Sequence, residues 1–223
     1  AQAVPMAAAA TAVVGAAREK LAVDMGRGKA PQYQEPPEVQ VESGDELFLE
    51  VFAGKGGIIA AVVRIGLKAC DAQDIASGMY ASKVEYFDLL DNGSYRKLVK
   101  MLREGKVRWL HGAPPCRTLS QARKTDRFGS VKPLRSIDHP AGLPKYLNSK
   151  AIRDANLLAR RFASLCRVQM RSRGWFSLEN PSSSLMWRFK PVEQLLKAPS
   201  VILHIGDQCV HGGTYKKRTG WAS

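Results

Sequence analysis

The feature that most constrains the fold is a regular alternation, after residue 46, of short apolar segments with amphipathic ones. The apolar segments have strand-like lengths and span residues 47–52, 67–71, 107–112, 175–180 and 201–206. The segments that keep apolar side chains at helical spacing span residues 58–66, 94–105 and 151–173. Strands that alternate with helices form a mostly parallel sheet with helices on both faces. The sequence therefore predicts a Rossmann-like α/β fold.

The first 45 residues differ from the rest of the chain. Residues 6–25 are Ala-rich and favour a helix, whereas residues 26–45 are rich in Gly, Pro and acids and read as a linker. We expect 1–45 to be partly disordered and 46–223 to form the folded domain. The chain contains no run of 18 apolar residues, and no basic residues precede the apolar start, so neither a membrane span nor a secretion signal is predicted.

The charge of the chain points to a polyanionic partner. There are 34 basic and 20 acidic residues, a net charge of +14. Residues 1–46 are acidic on balance, so the positive excess lies in the predicted domain. A domain this basic is typical of proteins that bind nucleic acid, although a merely soluble basic surface is the plain alternative.

The four cysteines are widely spaced, without a CxxC pair or a Cys/His cluster of zinc-binding spacing. This usage favours a reduced, intracellular protein without a metal site. Cys70 and Cys166 lie among apolar residues and are expected to be buried.

Three short motifs follow three of the predicted strands. After the first strand, the glycines of AGKGG (53–57) allow positive φ and close approach of a ligand, although a tight turn alone would also need them. After the third strand, two prolines precede Cys116, which suits a nucleophile held on a rigid turn as well as an inert thiol. Glu179 and Asn180 end the fourth strand, where they either present a carboxylate or cap a helix. All three motifs are expected at one edge of the sheet, where ligands bind.

In this order, FAGKGG (52–57), PPCRTLS (114–120) and ENP (179–181) resemble the motifs of the cytosine-5 DNA methyltransferase family. SQAR after the cysteine and the late KKRT are similar to divergent members from phages and retroelements. The resemblance covers residues 47–223 and implies the S-adenosylmethionine-dependent methyltransferase fold. It also implies that a target-recognition region follows, and the sequence reaches Ser223 before one.

The resemblance implies roles for individual residues. Cys116 is the nucleophile that adds to carbon 6 of a flipped-out cytosine, and Glu179 assists at N3. Those implied to bind S-adenosylmethionine are Phe52, Ala53, Gly54, Gly56, Gly57, Asp74 (ribose), Asp88 (adenine) and Pro114. Those implied to contact DNA are Ser120, Arg123, Lys124, Arg127, Lys216, Lys217 and Arg218.

The basic segment after Cys116, which includes Arg135, is expected to contact phosphates, and Arg117 and Arg123 to favour the thiolate. The chain departs from the family pattern at several places, one of which is Leu119, where the family has an aromatic residue. Glu50 stands where the family has Asp, and Lys217 and Thr219 stand near its two late arginines, so Lys216 or Arg218 would substitute for them.

Three other functions compete with a DNA methyltransferase: an inactive nucleic-acid-binding module of the same fold, an RNA cytosine-5 methyltransferase, and a cysteine hydrolase. The hydrolase needs a histidine beside Cys116, and the four histidines (His111, His139, His204 and His211) show no pairing pattern. If the source is eukaryotic, DNA methylation implies a nuclear location.

Overall fold

The computed structural model describes residues 47–74, 84–120, 133–207 and 217–223. The strands are β1 (Phe48–Val51), β2 (Ala72–Asp74), β3 (Val84–Tyr86), β4 (Trp109–Gly112), β5 (Trp175–Pro181), β6 (Leu203–Asp207) and β7 (Arg218–Ala222). The α-helices are α1 (Gly57–Arg64), α2 (Asn92–Arg103), α3 (Lys150–Arg171) and α4 (Lys190–Leu196), with 3₁₀ turns at Pro144–Tyr146 and Leu185–Arg188. None of the helices in these ranges is long and apolar enough to cross a bilayer.

The strands form one seven-stranded sheet in the order β3-β2-β1-β4-β5-β7-β6. Strands β1 to β5 run parallel to one another, and β7 runs antiparallel to both β5 and β6. The chain turns outward from β1 in both directions, which is the doubly wound arrangement. This topology confirms the predicted Rossmann-like α/β fold, with its mostly parallel sheet and helices on both faces.

Helices cover both faces of the sheet because β1 and its neighbours bury side chains on both sides. Leu49 and Val51 belong to the main core, which includes Phe162 of α3 and residues of α2 and α4. Phe48 points to the other face, where it packs in a smaller cluster with Ile59 of α1. The core thus fixes the central strands, whose ends carry the candidate site.

Local sequence signals account for the helix ends. The Asp91 side chain accepts a hydrogen bond from the Ser94 backbone N–H at 2.6 Å and begins α2, and this bond lowers the pKa of Asp91. Gly105, with φ of 68°, follows the last turn of α2 and allows the chain to leave the helix. The Ser149 side chain caps α3 in the same manner.

One strand prediction was wrong, and one short strand was missed. Residues 67–71 make only an isolated bridge, between Ala69 and Phe48, and the regular strand β2 begins afterwards. The sequence does not reveal strand β3, because the three residues VEY (84–86) are too few to show a strand pattern. The 1–45 prediction lies outside the described residues.

Candidate active site at the carboxyl edge of the sheet

The topology brings the predicted site residues to one edge of the sheet. Strands β1 to β5 are parallel, so the turns that follow them lie at the same edge. Strand β7 is antiparallel to β5, so its first residues lie there too. This edge carries the glycine turn, Asp74, Asp88, Cys116 and Glu179.

The turn from β1 into α1 is built from left-handed backbone conformations. Phe52, Gly54 and Gly56 have φ of 60°, 54° and 71°. A non-glycine residue at positive φ is strained, and Phe52 is held there with its ring 5.7 Å from that of Phe162. Side chains built on Gly54 and Gly57 would meet no atom within 4 Å, so open space borders the turn. A ligand can therefore approach the backbone at this point.

Asp74 lies opposite the glycine turn. Its Oδ2 accepts a hydrogen bond from the Gly54 N–H at 2.7 Å, which joins the end of β2 to the turn after β1. Asp88 follows β3, is half-buried, and accepts a hydrogen bond from the Leu90 N–H through Oδ1 at 2.8 Å. Both carboxylates therefore have local structural partners, and Asp74 also borders the space beside the glycines.

Glu50 in β1 is hydrogen-bonded to the first turn of α1, next to the glycine turn. It lies in β1 at 3% exposure, and its Oε2 accepts a hydrogen bond from the Ile59 N–H at 2.8 Å in the first turn of α1. Burial raises the pKa of Glu50 to about 7, the Ile59 N–H opposes that rise, and the charge of Asp74 adds to it. The carboxyl thus caps α1 where the site begins.

This pKa makes the stability of the protein depend on pH. The folded state keeps the Glu50 proton up to about pH 7, whereas the unfolded chain releases it near its ordinary value of 4.5. The stabilisation is therefore complete below pH 4.5 and is lost as the pH rises towards 7. We expect Glu50→Gln, which cannot ionise, to be more stable than the wild type by up to about 3 kcal/mol at pH 8 and equal to it near pH 4.5.

Urea unfolding of the full chain at both pH values measures this difference. Glu193→Gln, which changes an exposed carboxylate paired with Lys197 at 3.1 Å, is the control and should show almost no effect. If the difference in the free energy of unfolding between Glu50→Gln and the wild type were the same at both pH values, the raised pKa of Glu50 would be contradicted.

Cys116 begins a tight turn directly beyond β4. Its carbonyl oxygen accepts hydrogen bonds from the N–H groups of Leu119 and Ser120, each at 2.8 Å. The residue is half-buried and its thiol is free. Before it, Pro114 is buried, and its carbonyl oxygen accepts a hydrogen bond from the Asn180 Nδ2 at 2.9 Å. The proline-cysteine turn and the Glu-Asn-Pro segment are therefore joined directly.

Glu179 lies within β5, so the alternative that Glu179 and Asn180 cap a helix is wrong; Ser184 caps the 3₁₀ turn that follows. The Oε1 atom of Glu179 lies 3.2 Å from the Nζ atom of Lys217, the residue directly before β7. Thr219 is fully buried and its hydroxyl donates to the Lys217 carbonyl oxygen at 3.3 Å. Of the two positions near the family's late arginines, only Lys217 reaches a site residue.

Some predicted contacts cannot be placed. Arg123, Lys124, Arg127 and Lys216 lie outside the described residues, so their contacts with DNA stay predictions. Arg117 and Arg218 are exposed, whereas Ser120 is half-buried in the turn after Cys116. The prediction that Arg135 contacts phosphates is wrong, because its side chain is 2% exposed and hydrogen-bonded within the protein. Its position in a basic stretch gave no signal of this burial.

His111 gives no support to the hydrolase alternative, because its described side-chain partner is Ser177. His111 lies in β4, where its Nδ1 is 2.7 Å from the Ser177 Oγ and its ring stacks with that of Phe48. Burial lowers the pKa of His111 to about 4, so it is neutral at physiological pH. In the part of the chain that the structure describes, no group of three or more His, Cys, Asp or Glu side chains is arranged to hold a metal.

Comparisons with known proteins show similarity to solved structures. No protein-family model and no curated protein matches the sequence. The chain is similar to the crystal structure of the Dnmt2 methyltransferase of S. pombe, with 13% sequence identity and a TM-score of 0.44. The similarity covers 79% of this chain and 49% of that one, so the chain spans about half the length of that protein. The fold assignment therefore depends on the strand order described above.

Proposed function

We propose that this protein is an S-adenosylmethionine-dependent methyltransferase that acts on carbon 5 of cytosine in DNA, with Cys116 as its nucleophile. The observation that carries the proposal is the hydrogen bond between Asn180 and the Pro114 carbonyl, at 2.9 Å. It joins the cysteine turn to the strand that bears Glu179. This reaction needs a nucleophile and a carboxyl group. Cys116 follows β4, and Glu179 lies on the neighbouring strand β5.

The residues at the edge of the sheet fit the cofactor. The open space beside Gly54 and Gly57 would hold the cofactor, and the backbone N–H groups at the start of α1 would bind its carboxylate. Asp74 lies at the end of β2, where acids bind ribose hydroxyls in Rossmann-like folds. Asp88, after β3, is our candidate for the adenine. When bound, the cofactor supplies an electrophilic methyl group on a sulfonium.

The chain's own residues prepare the cytosine for this methyl group. The Cys116 thiolate forms a bond to carbon 6, and the electron pair of the 5,6 double bond moves towards carbon 5. Glu179 holds a proton at N3, so that negative charge does not build up on the ring. Lys217 pairs with Glu179 at 3.2 Å and fixes its position. After methylation, a base removes the proton from carbon 5, that electron pair restores the 5,6 double bond, and the bond between carbon 6 and the Cys116 sulfur breaks.

The proposal is tested by incubating the full chain with tritium-labelled S-adenosylmethionine and either a DNA duplex or an RNA of the same sequence. We expect label in 5-methyl-2′-deoxycytidine after digestion of the DNA. Label in 5-methylcytidine alone would replace DNA with RNA as the substrate. Salt-sensitive DNA binding without methyl transfer would favour the inactive module. Activity on DNA would also support our proposal that the protein works inside the cell, and in the nucleus of a eukaryotic source.

A further inference from the structure

Arg135 is the most deeply buried charged side chain among the described residues. It is 2% exposed, and burial lowers the pKa of its guanidinium to about 10. No ion pair between Arg135 and a carboxylate is present in the described part of the chain. Burying a cation is costly unless its donors are satisfied, so the hydrogen bonds of this group are informative.

The guanidinium bonds to three separate segments. Nη2 donates to the Thr118 Oγ1 at 3.0 Å, while Nη1 donates to the Asn156 Oδ1 at 2.7 Å and to the Pro140 carbonyl at 2.6 Å. Thr118 lies in the turn of Cys116, and Asn156 lies in α3. The planar fork of one arginine thus ties the cysteine turn to a helix that packs against the sheet.

Two further described contacts of the Cys116 turn come from residues 180–185. Leu119 is buried, and its carbonyl oxygen accepts a hydrogen bond from the Leu185 N–H at 2.9 Å. Asn180 holds the preceding Pro114. Thr118 lies between these anchors at 8% exposure, and its described side-chain partner is Arg135. Loss of that bond removes the link between the middle of the turn and Arg135.

We propose that Arg135 is a positioning residue for Cys116, acting through Thr118. The inference rests on the proposed function for its catalytic consequence. Its geometric consequence, a rigid turn at residues 116–120, is independent of the chemistry. The role depends on the planar fork of the side chain, so a positive charge alone does not supply it.

Two pairs of variants of the full chain test the role. Thr118→Val removes the hydroxyl but keeps the shape, and Thr118→Ser keeps the hydroxyl. Arg135→Lys keeps the charge but loses the fork. Arg161→Met is the control, because Arg161 is also buried but bonds to the carbonyls of Leu89 and Asp91 beside α2.

Hydrogen exchange at the backbone N–H groups of Leu119 and Ser120 is the first readout. We expect exchange at least about tenfold faster in Thr118→Val and Arg135→Lys, and unchanged in Thr118→Ser and Arg161→Met. The second readout is methyl transfer, where kcat should fall by about 10- to 100-fold in the same two variants while KM for S-adenosylmethionine stays within about twofold.

Equal exchange rates in Thr118→Val and Thr118→Ser overturn the positioning role. So does an increase of the exchange rate in Arg161→Met as large as that in Arg135→Lys. If the wild type transfers no methyl group, the proposed function fails, and the exchange rates alone decide whether Arg135 holds the turn. Faster exchange without a fall in kcat in an active enzyme overturns the catalytic part of the inference.

Discussion

Cys116→Ser lowers the rate of methyl transfer to cytosine by at least about 1,000-fold, while the protein stays folded and binds S-adenosylmethionine as the wild type does. A serine hydroxyl is a far weaker nucleophile towards carbon 6 than a thiolate. Cys116 is half-buried and its described hydrogen bonds use its backbone oxygen, so the substitution disturbs little of the structure. The measurement is single-turnover transfer of labelled methyl groups to a DNA duplex.

Cys70→Ser is the matched control for this prediction. Cys70 is also half-buried and free, but burial raises the pKa of its thiol, and it lies between β1 and β2. We expect the rate of methyl transfer by Cys70→Ser to stay within about twofold of the wild-type rate. A Cys116→Ser enzyme that retains a tenth or more of the wild-type rate would exclude Cys116 as the nucleophile.

Glu179→Gln produces the second largest loss, a fall in kcat of about 100-fold or more. The amide keeps the size of the side chain but cannot hold a proton at N3 as the carboxyl does. Because Glu179 lies in β5 away from the glycine turn, the affinity for S-adenosylmethionine should change by less than about twofold. Saturation kinetics together with calorimetric binding of the cofactor separate the two effects.

Lys217→Met is the companion variant, since it removes the partner of Glu179 at 3.2 Å and leaves the carboxyl in place. We expect a fall in kcat of about 10-fold, smaller than that of Glu179→Gln. If Lys217→Met lost more activity than Glu179→Gln, the essential group of the pair would be the ammonium.

Much of the fold follows from local sequence. The apolar period of α3 and the strand-like runs at β1, β4 and β5 appear directly in the sequence, because each element buries one or both of its faces. The short strand β3 and helix α4 were missed, since three and seven residues hold too little periodicity. The sequence also could not give the antiparallel β7, because its direction is decided by pairing with β5 and β6.

For the candidate site too, the sequence predicts the position of some residues but not the contacts of others. The glycine turn and Cys116 follow strands, and Glu179 lies near the carboxyl end of β5, so the parallel order of β1, β4 and β5 is enough to bring them to one edge. The supporting contacts of Glu50 and Arg135 depend on tertiary burial, which a charged residue in a sequence does not reveal. The sequence therefore predicts phosphate contacts for Arg135, because it lies in a basic stretch. Its three hydrogen-bond partners inside the protein show that the side chain is buried instead.

The central claim is that Cys116 bonds to carbon 6 of cytosine, and covalent trapping tests it most directly. The full chain is incubated with S-adenosylmethionine and a duplex containing 5-fluorocytosine, whose fluorine replaces the proton that must leave carbon 5. The account predicts an adduct that survives denaturation, maps to Cys116 and is absent in Cys116→Ser. No adduct under conditions where both the cofactor and the duplex are bound, or an adduct on another cysteine, would contradict it.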